Sequence, residues 1–403
     1  MKILHLVDKM DPKRGGVCQA VRTIIKGVSD PGISHEVLSL DAPDSIFLKS
    51  DLFTQYAIGP TNNPWSYNPR LLPFLTDNLT KFDFIILHGL WQYHTYAAYK
   101  AIKLLRRRIK TTELENSDLP KLLVMPHGML DPYFQNAPER KLKAIRNNLY
   151  WKFIENKVVN GADGLLFTCD TERILARETF VPYHPKKEII VGLGEVAPPK
   201  YDKGMTDEFL KFCLPVQHKP YLLFLSRIHE KKGVDLLIKA YRKIIHEDPD
   251  NRQTKLVIAG PGLETPFGKK RMQLVSQDDL LQKNVFFPGM LTGAAKWGAF
   301  YGCEAFILPS HQENFGIAVI EAMACGKPVL ISDQINIFRE IVRSGGAIVE
   351  SDTTRGTLAL LERWYSLDDD TKKEMGRNAK KCFGDFFAID RMLKNWMPAI
   401  FQS

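Results

Sequence analysis

The sequence has few cysteines for its length and no long hydrophobic run. Its six cysteines are scattered over 403 residues without a C-x-x-C pair. This excludes a disulfide-rich secreted scaffold and predicts reduced thiols. No run approaches the roughly 20 apolar residues that a helix needs to cross a bilayer. The first residues, MKILHLVDKMDP, carry a short apolar segment before charged residues. We therefore expect a first strand there rather than a signal peptide, and a cytoplasmic protein.

Metal-binding and nucleic-acid-binding motifs are also missing. The segment Asp248-Pro249-Asp250 comes nearest to a D-x-D metal motif, but it follows a predicted helix in a polar turn. The glycine pattern G-x-G-x-x-G does not occur after the first strand, so an NAD-dependent dehydrogenase is not supported. We expect no metal, no other cofactor and no nucleic-acid partner.

The composition is that of an ordinary globular protein, with 44% hydrophobic and 25% charged residues. The net charge of +9 is unevenly placed, because residues 100–157 hold 13 Lys or Arg against 6 Asp or Glu. Such a surplus is either a solvated surface or a surface that attracts an anionic membrane or an anionic lipid-linked acceptor. The second interpretation predicts peripheral contact with the inner face of a membrane through the basic N-terminal domain.

Short apolar segments alternate with helical segments along the chain, which predicts an α/β fold with doubly wound domains. Residues 192–199 have the glycine- and proline-rich composition of a linker. We therefore divide the chain into a domain over 1–195 and a domain over 196–385. The predicted strands span 2–7, 35–40, 82–89, 121–128, 164–168 and 188–191 in the first domain, and 221–225, 255–259, 284–289, 304–308, 329–331 and 346–349 in the second.

Candidate ligand-binding residues of the first domain follow its predicted strands. Two strands end in His-Gly, at His88 and at His127. Because parallel strands place their carboxyl ends at one edge of a sheet, these histidines could converge on one site, although a structural role is the alternative for each. Gly15 and Gly16 lie between the first strand and the first helix. Glycines there let the backbone approach a ligand closely, or serve packing alone.

A long helix is predicted over residues 139–160. Its apolar stripe lies among basic residues and consists of Leu142, Ile145, Leu149, Phe153 and Val158. We interpret this stripe as the face that packs against the core. Association with the edge of a membrane is the alternative.

The second domain offers two cations in one loop. Arg227 and Lys232 lie five residues apart in SRIHEKKG, between a predicted strand and a predicted helix. That position can aim both charges at one point beside a helix N-terminus. A departing pyrophosphate needs such an arrangement, because negative charge builds on it as the glycosidic bond breaks. A generic basic loop is the alternative.

The stretch PSHQENFGIAVIEAMACGKPVLIS, residues 309–332, reads as loop, buried helix, turn and strand. Its two carboxylates stand in an apolar context, Glu313 before the helix and Glu321 within it. A buried carboxylate needs hydrogen-bond donors, and sugar hydroxyls would serve. A core arginine or backbone amides would serve as well. The helix start near Gly316 is an anion site, so the stretch suggests a nucleotide-sugar pocket.

The segment ENFGIAVIEAMACGKPVL resembles the E-x7-E signature of the family-4 (group 1) retaining glycosyltransferases, and S-R-x4-K-G resembles their diphosphate-binding segment. Asn314 departs from the pattern, since many relatives have glycine there. The resemblance implies the GT-B fold, with two Rossmann-like domains facing a cleft and the amphipathic segment 386–403 crossing back to the first. It also implies metal-independent transfer of a hexosyl group from a UDP-sugar, such as UDP-glucose, to a glycan or lipid-linked acceptor in polysaccharide biosynthesis.

The resemblance also assigns roles to residues. Arg227 and Lys232 would stabilise the diphosphate, Glu313 would orient sugar hydroxyls, Glu321 would hold the ribose and His127 would contact the sugar near the reacting carbon. A sugar-nucleotide epimerase of the same fold, a glycoside hydrolase and a non-catalytic UDP-sugar-binding protein remain alternatives. The further residues expected to bind substrate are Gly15, Gly16, His88, Gly260, Met290, Leu291, Asn314, Phe315, Gly316 and Ile317.

Overall fold

The computed structural model describes residues 1–12, 15–109, 119–137, 140–248 and 254–401. The chain divides into two compact units, the first made of Met1–Gly194 with Ile389–Ser403 and the second of Glu195–Ala388. Some positions named above lie outside the described residues. They are residues 110–118 and 138–139 of the basic segment, the second of which includes Glu139 at the start of the predicted long helix, Pro249 and Asp250 of the D-x-D-like segment, and residues 402–403 of the terminal segment.

The described residues of the first unit form seven strands. They are β1 (Lys2–Val7), β2 (Ser34–Ser39), β3 (Thr54–Ala57), β4 (Phe84–His88), β5 (Lys121–Met125), β6 (Gly164–Phe167) and β7 (Glu188–Ile190). The helices between them are α1 (Gly16–Gly27), α2 (Leu71–Asn78), α3 (Tyr93–Ile109), α4 (Tyr133–Asn136), α5 (Lys141–Tyr150), α6 (Asn156–Gly161) and α7 (Asp170–Thr179). A π-helical turn, Trp151–Glu155, joins α5 to α6.

The strands of the first unit form one parallel sheet in the order β3-β2-β1-β4-β5-β6-β7. Helices connect successive strands, so the central strands are covered on both faces and read as continuous apolar runs. Every residue of β4 and of β6 is buried. The strand order reverses direction between β1 and β4, and α/β proteins bind ligands at such a switch point, beyond the carboxyl ends of the strands.

In the second unit, the part of the chain that the structure describes forms six strands. They are β8 (Tyr221–Leu225), β9 (Lys255–Ala259), β10 (Val285–Gly289), β11 (Ala305–Leu308), β12 (Val329–Ser332) and β13 (Ala347–Glu350). Its helices are α8 (Lys203–Leu210), α9 (Val234–Glu247), α10 (Pro266–Ser276), α11 (Asp279–Asn284), α12 (Gly293–Gly302), α13 (Ile317–Ala324), α14 (Phe338–Arg343), α15 (Thr354–Ser366) and α16 (Asp369–Cys382). The terminal helix, α17 (Met392–Phe401), belongs to the first unit.

The second sheet is also parallel and follows the order β10-β9-β8-β11-β12-β13. Counted from its own first strand, this is the order 3-2-1-4-5-6 of the doubly wound dinucleotide-binding fold. Its switch point lies between β8 and β11, whose following loops carry the two motifs singled out above. The prediction of two doubly wound, Rossmann-like α/β units is confirmed.

The apolar stripe predicted to pack in the core does not do so. The exposed fraction is 84% for Leu142, 59% for Ile145, 55% for Leu149 and 60% for Phe153, whereas Val158 is buried. The prediction is therefore wrong for four of the five residues.

The reason lies in a second apolar face of the same helical segment. Ala144 and Trp151, seven residues apart, are buried on the inner side of α5 and the π-helical turn. Periodicity indicates that a stripe exists, but it does not indicate which of two stripes faces the core. Among the helices of the described residues, none combines the length and the apolarity that crossing a membrane requires.

Candidate functional site

The switch point of the second sheet brings a lysine and a glutamate into direct contact. Lys232 lies in the loop from β8 to α9, and Glu313 lies in the loop from β11 to α13. The Lys232 ammonium donates a hydrogen bond to Oε2 of Glu313. The side chains are 10% and 21% exposed, respectively, so the ion pair stands at the rim of the buried interior. It pairs the predicted diphosphate-binding cation with the predicted sugar-binding carboxylate.

The two loops are fixed to each other through their backbones. The carbonyl oxygen of Lys231 accepts hydrogen bonds from Oγ of Ser310 at 3.0 Å and from the amide of His311 at 2.8 Å. Gly233 adopts a φ of 68°, and a Cβ atom there would collide with the carbonyl oxygen of Pro309. Only glycine satisfies both conditions. The Lys232–Glu313 contact is therefore preformed by the loops that carry it.

The cations give the site a positive field. Burial first, and then the neighbouring charges of Lys231 and Arg227, lower the pKa of Lys232 to about 7. Arg227 is exposed, and no hydrogen bond or ion pair to it is found within the described ranges. Bringing a diphosphate to these cations would relieve their mutual repulsion.

Glu313 leads into the start of α13. Gly316 precedes the helix with a left-handed φ of 71° and carries no side chain that could cap it. The first amides of a helix have no partners within the helix, so they are available to an anion. Asn314, the departure from the family pattern, accepts a hydrogen bond from Nδ2 of Asn336 at 3.1 Å. Its side chain is thereby tied to the loop that follows β12.

Glu321 is buried within α13, and a lysine satisfies it. Nζ of Lys296, on α12, donates to Oε1 of Glu321 at 2.6 Å. Burial raises the pKa of the Glu321 carboxyl, and the Lys296 charge opposes the rise. Lys296 was not singled out from the sequence, which suggested an arginine, backbone amides or sugar hydroxyls as partners. The available signal was a single lysine in the otherwise apolar segment GAAKWGAF, residues 293–300.

The remaining predicted residues of the second unit lie at the same sheet edge. Gly260 follows β9 with a φ of 141°, and a Cβ atom there would collide with the carbonyl oxygen of Ser226. Met290 and Leu291 follow β10, where Met290 is 64% exposed and Leu291 is buried. Phe315 is buried and Ile317 opens α13. The roles assigned to these residues in binding the base and the sugar stay predictions.

In the first unit, the two predicted histidines contact each other. Nδ1 of His88 lies 2.9 Å from Nε2 of His127, at the carboxyl ends of β4 and β5. His127 has a positive φ of 52°, an uncommon conformation for a residue with a side chain and one that often marks a functional position. Gly15 and Gly16 are exposed at the start of α1, on the loop that follows β1.

Among the described residues, no group of three or more His, Cys, Asp or Glu side chains is arranged to hold a metal ion. The candidate site offers two lysine–glutamate ion pairs, Lys232–Glu313 and Lys296–Glu321, together with the exposed Arg227 and the N-terminus of α13. Such a set can bind a phosphorylated polyhydroxy compound.

Solved structures place this architecture in a known fold class. The chain superposes on HepE from Anabaena in complex with UDP-glucose with a TM-score of 0.75 at 15% identity, over 100% of both chains. It superposes on sucrose-phosphate synthase from Thermosynechococcus elongatus with a TM-score of 0.71 at 18% identity, over 100% of this chain and 99% of the other. With its two parallel-sheet units, the chain has the GT-B fold.

A family model matches part of the chain. Residues 207–382 match the model of the glycosyl transferases group 1. The matched segment includes Arg227, Lys232, Glu313 and Glu321, so it contains both ion pairs of the site. The match covers less than half of the chain and lies within the second unit.

Curated relatives are similar over part of their length. The D-inositol 3-phosphate glycosyltransferase of Gordonia bronchialis is 30% identical over 46% of this chain and 41% of its own length. That of Kineococcus radiotolerans is 28% identical over 56% of this chain and 54% of its own length. An uncharacterized glycosyltransferase of Methanocaldococcus jannaschii is 34% identical over 37% of each chain. The chain thus spans about half, or less, of the length of these relatives.

Proposed function

We propose that this protein is a glycosyltransferase that moves a hexosyl group from a nucleotide sugar to a hydroxyl group, with retention at the anomeric carbon. The observation that carries the proposal is the Lys232–Glu313 contact at the switch point of the second sheet. It combines a cation for the diphosphate and a carboxylate for sugar hydroxyls within one preformed pair of loops. The match of residues 207–382 to the group 1 family model supports it.

In the proposed reaction, Lys232 leaves Glu313 and turns its ammonium to the diphosphate, together with Arg227 and the first amides of α13. These donors stabilise the charge that develops on the leaving group, so no metal is required. Glu313, freed from Lys232, accepts hydrogen bonds from sugar hydroxyls. Glu321, held by Lys296, accepts from the ribose hydroxyls. Glu313 thus exchanges its lysine partner for the sugar, whereas Glu321 keeps Lys296 and accepts hydrogen bonds from the ribose as well.

The remaining chemistry concerns the acceptor. His127 is assigned a contact with the donor sugar near the reacting carbon. The leaving phosphate takes the proton of the acceptor hydroxyl on the face from which it departs, and the new bond forms on that same face. Retention of configuration follows from this geometry.

For the donor we propose a UDP-hexose, with UDP-glucose first. HepE, which shares the fold, was solved with UDP-glucose and with UDP and glucose. For the acceptor we propose a glycan or a lipid-linked sugar used in polysaccharide assembly. The curated relatives are named for D-inositol 3-phosphate, so a phosphorylated cyclitol is the competing acceptor class.

The test starts from purified protein and a thermal-shift screen against UDP-, GDP- and ADP-sugars, since a ligand that binds the folded state raises the melting temperature. The donor that stabilises the protein is then incubated with glycan, lipid-linked and cyclitol phosphate acceptors. NMR of the product is expected to show a new glycosidic bond with the anomeric configuration of the donor. An inverted product would contradict retention.

Three other outcomes would replace the proposal. An epimerised UDP-sugar in the absence of any acceptor identifies an epimerase. Cleavage of an oligosaccharide without nucleotide identifies a hydrolase, a reaction in which Arg227 and Lys232 have no role. Binding of UDP-sugar without product, across all acceptors, identifies a binding protein.

We also propose that the first unit contacts an anionic membrane surface through the outer face of α5 and the π-helical turn. Leu142, Ile145, Leu149 and Phe153 recur there at spacings of three and four residues and are exposed. The exposed cations around them are Lys141, Lys143, Arg146, Lys152 and Lys157. The one acidic residue between 141 and 157, Glu155, is fully buried. An apolar stripe flanked by cations is suited to the interface of an anionic lipid layer.

Co-sedimentation with vesicles tests the membrane proposal. We expect binding to vesicles of phosphatidylcholine mixed with phosphatidylglycerol and little binding to phosphatidylcholine alone. Phe153→Gln should weaken binding by roughly tenfold, because it removes one apolar side chain from the lipid contact. Leu52→Gln is the matched control, since Leu52 is exposed in the same unit but lies outside the stripe. Equal binding to both vesicle types, or equal effects of both variants, would overturn the proposal.

A further inference from the structure

Four histidines form a diagonal row across the first sheet. His35 on β2, His5 on β1, His88 on β4 and His127 just beyond β5 lie on four neighbouring strands. Where neighbouring strands pair, His35 lies opposite Ile3 of β1, His5 lies opposite Ile86 of β4, and His88 lies opposite Met125 of β5. In each case, the next histidine of the row therefore lies two residues after the residue that pairs with the previous histidine. Steps of two keep all four side chains on one face of the sheet and carry the row to its carboxyl edge.

The rings are joined in an unbroken series of hydrogen bonds. Nδ1 of His35 lies 2.9 Å from Nε2 of His5, Nδ1 of His5 lies 2.9 Å from Nε2 of His88, and Nδ1 of His88 lies 2.9 Å from Nε2 of His127. Successive ring centroids are 5.2 Å apart and the ring planes differ by 25° to 28°. At the far end, Nε2 of His35 lies 2.8 Å from the carbonyl oxygen of Val28.

The Val28 carbonyl determines which nitrogen of each ring in the row carries the proton. A carbonyl oxygen only accepts, so Nε2 of His35 must carry the proton and donate it. In a neutral imidazole the other nitrogen, Nδ1, is then an acceptor, which requires His5 to donate from Nε2. The same argument passes from His5 to His88 and from His88 to His127. Every ring in the row is therefore the Nε2–H tautomer when all are neutral.

We propose that the row fixes His127 as a hydrogen-bond acceptor at Nδ1, with His35, His5 and His88 as positioning residues that set its tautomer from the Val28 carbonyl. Within the described ranges, no hydrogen bond to Nδ1 of His127 is recorded, and His127 is half-buried. A ligand atom that meets this nitrogen must be a donor. Under the proposed function, that donor is a hydroxyl of the transferred sugar. The tautomer assignment itself does not depend on the proposed function.

The row must stay neutral for the argument to hold. Adding one proton to His5 would make it donate on both sides, which would reverse His88 and His127 and leave Nδ1 of His127 as a donor. Burial opposes that proton, since it lowers the pKa of His5, His35 and His88 and brings that of His127 to about 4.

Other titratable groups also face the row. Nε2 of His94 lies 3.2 Å from the carbonyl oxygen of His88, and the charge of Asp8 acts on His94. Glu172 accepts a hydrogen bond from the amide of Gly128, next to His127. Neither carboxylate forms one of the hydrogen bonds of the row, so the Val28 carbonyl remains its anchor.

Nitrogen NMR of the full chain, labelled with ¹⁵N in its histidine rings, tests the proposal. Long-range proton–nitrogen correlations distinguish the two neutral tautomers from the imidazolium. Ten histidines are present, and the signals of the row are assigned from single variants. We expect His127 to show a protonated Nε2 and an unprotonated Nδ1 throughout pH 6 to 8. A protonated Nδ1 at His127, or an imidazolium in that range, overturns the proposal.

Two substitutions at the far end separate positioning from mere packing. His35→Gln keeps a donor for Val28 and an acceptor for His5, so the His127 tautomer should persist. His35→Phe removes both, so His127 should become a mixture of tautomers three rings away. If the chain proves to be a transferase, His35→Phe should also raise the KM for the donor by about fivefold, the loss of one neutral hydrogen bond. An unchanged His127 tautomer in His35→Phe would contradict the proposal whether or not the protein transfers sugars. Should that variant fail to fold, the spectrum of the unaltered chain still decides.

Discussion

Lys232 and Glu313 are 81 positions apart in the chain, yet the ammonium of one contacts the carboxylate of the other. The contact arises because β8 and β11 are neighbours in the sheet and each residue lies in the loop that follows its strand. The same loops are joined by the hydrogen bonds of the Lys231 carbonyl. The pair is thus a product of strand order, and strand order is a property of the fold class.

Removing Lys232 should impair donor use. Lys232→Ala is expected to lower turnover at least tenfold, about 1.4 kcal/mol of barrier, because a cation is lost where the leaving group gains charge. Steady-state rates with the donor found by thermal shift provide the measurement. Lys239→Ala is the matched control, since Lys239 is an exposed lysine on α9 that forms a pair with Asp235. Near-normal rates for Lys232→Ala would count against its role.

Under the proposed function, the pKa of Lys232 should make nucleotide binding depend on pH. With a pKa of about 7 in the free protein, the lysine loses its charge as the pH rises above that value. A bound diphosphate favours the ammonium and raises the pKa of Lys232 in the complex. Binding of UDP should therefore take up a proton between pH 7 and 9, and affinity should fall as the pH rises, by up to about tenfold per unit.

Titration calorimetry in buffers of different ionisation enthalpy measures that proton uptake. Lys232→Arg is the control, because arginine stays charged throughout the range. It should bind UDP without the pH dependence due to residue 232. Identical proton uptake in both proteins would assign it to another group.

Two glycines test how firmly the loops of the site are built. Gly233 and Gly289 have similar positive φ values, 68° and 77°, but a Cβ atom at Gly233 collides with the Pro309 carbonyl whereas one at Gly289 has nothing within 4 Å. Gly289→Ala should lower the free energy of unfolding by about 1–2 kcal/mol, the cost of a left-handed residue. Gly233→Ala should cost at least about 2 kcal/mol more. Denaturant unfolding of both variants measures the difference, and equal losses would mean that the backbone contact is easily relaxed.

Removing only the lysine of the Lys296–Glu321 ion pair should destabilise the protein more than replacing both side chains. Lys296→Met leaves a buried carboxylate without its donor, which should raise the pKa of Glu321 further and destabilise the fold by about 1–3 kcal/mol. The double variant Lys296→Met with Glu321→Gln should recover part of this loss, because no charge remains buried. A double-mutant cycle in denaturant supplies the coupling energy. Additive effects would show that the two side chains act independently.

Much of this arrangement could be predicted from the sequence. Apolar runs such as Phe84–Leu87 mark buried parallel strands, and a loop after such a strand lies at the ligand-binding edge. Together with the resemblance of S-R-x4-K-G and of the E-x7-E segment to the motifs of the group 1 glycosyltransferases, this selects Arg227, Lys232 and Glu313. It was not enough to reveal that Lys232 and Glu313 contact each other, since contacts across a sheet depend on which strands are neighbours.

Two features of the structure were not predicted from the sequence, for related reasons. The histidine row depends on register, and the sequence gives no register between parallel strands, so His5 and His35 passed as ordinary strand residues. A polar side chain inside the apolar run KILHLV was the signal at His5. The helix that contains Leu142 and Trp151 has apolar residues on two faces, and the larger stripe was assigned to the core when the smaller one packs there.

The preformed pair has one further consequence. In the resting protein Lys232 and Glu313 already satisfy each other, so a ligand that binds either side chain must replace the partner of that side chain. Under the proposed function, free UDP would draw the lysine away and leave the carboxylate with water, whereas an intact sugar nucleotide would offer a substitute to each. Under the proposed function, the site should therefore favour the whole donor over free UDP, and the spent nucleotide should leave as the two side chains rejoin.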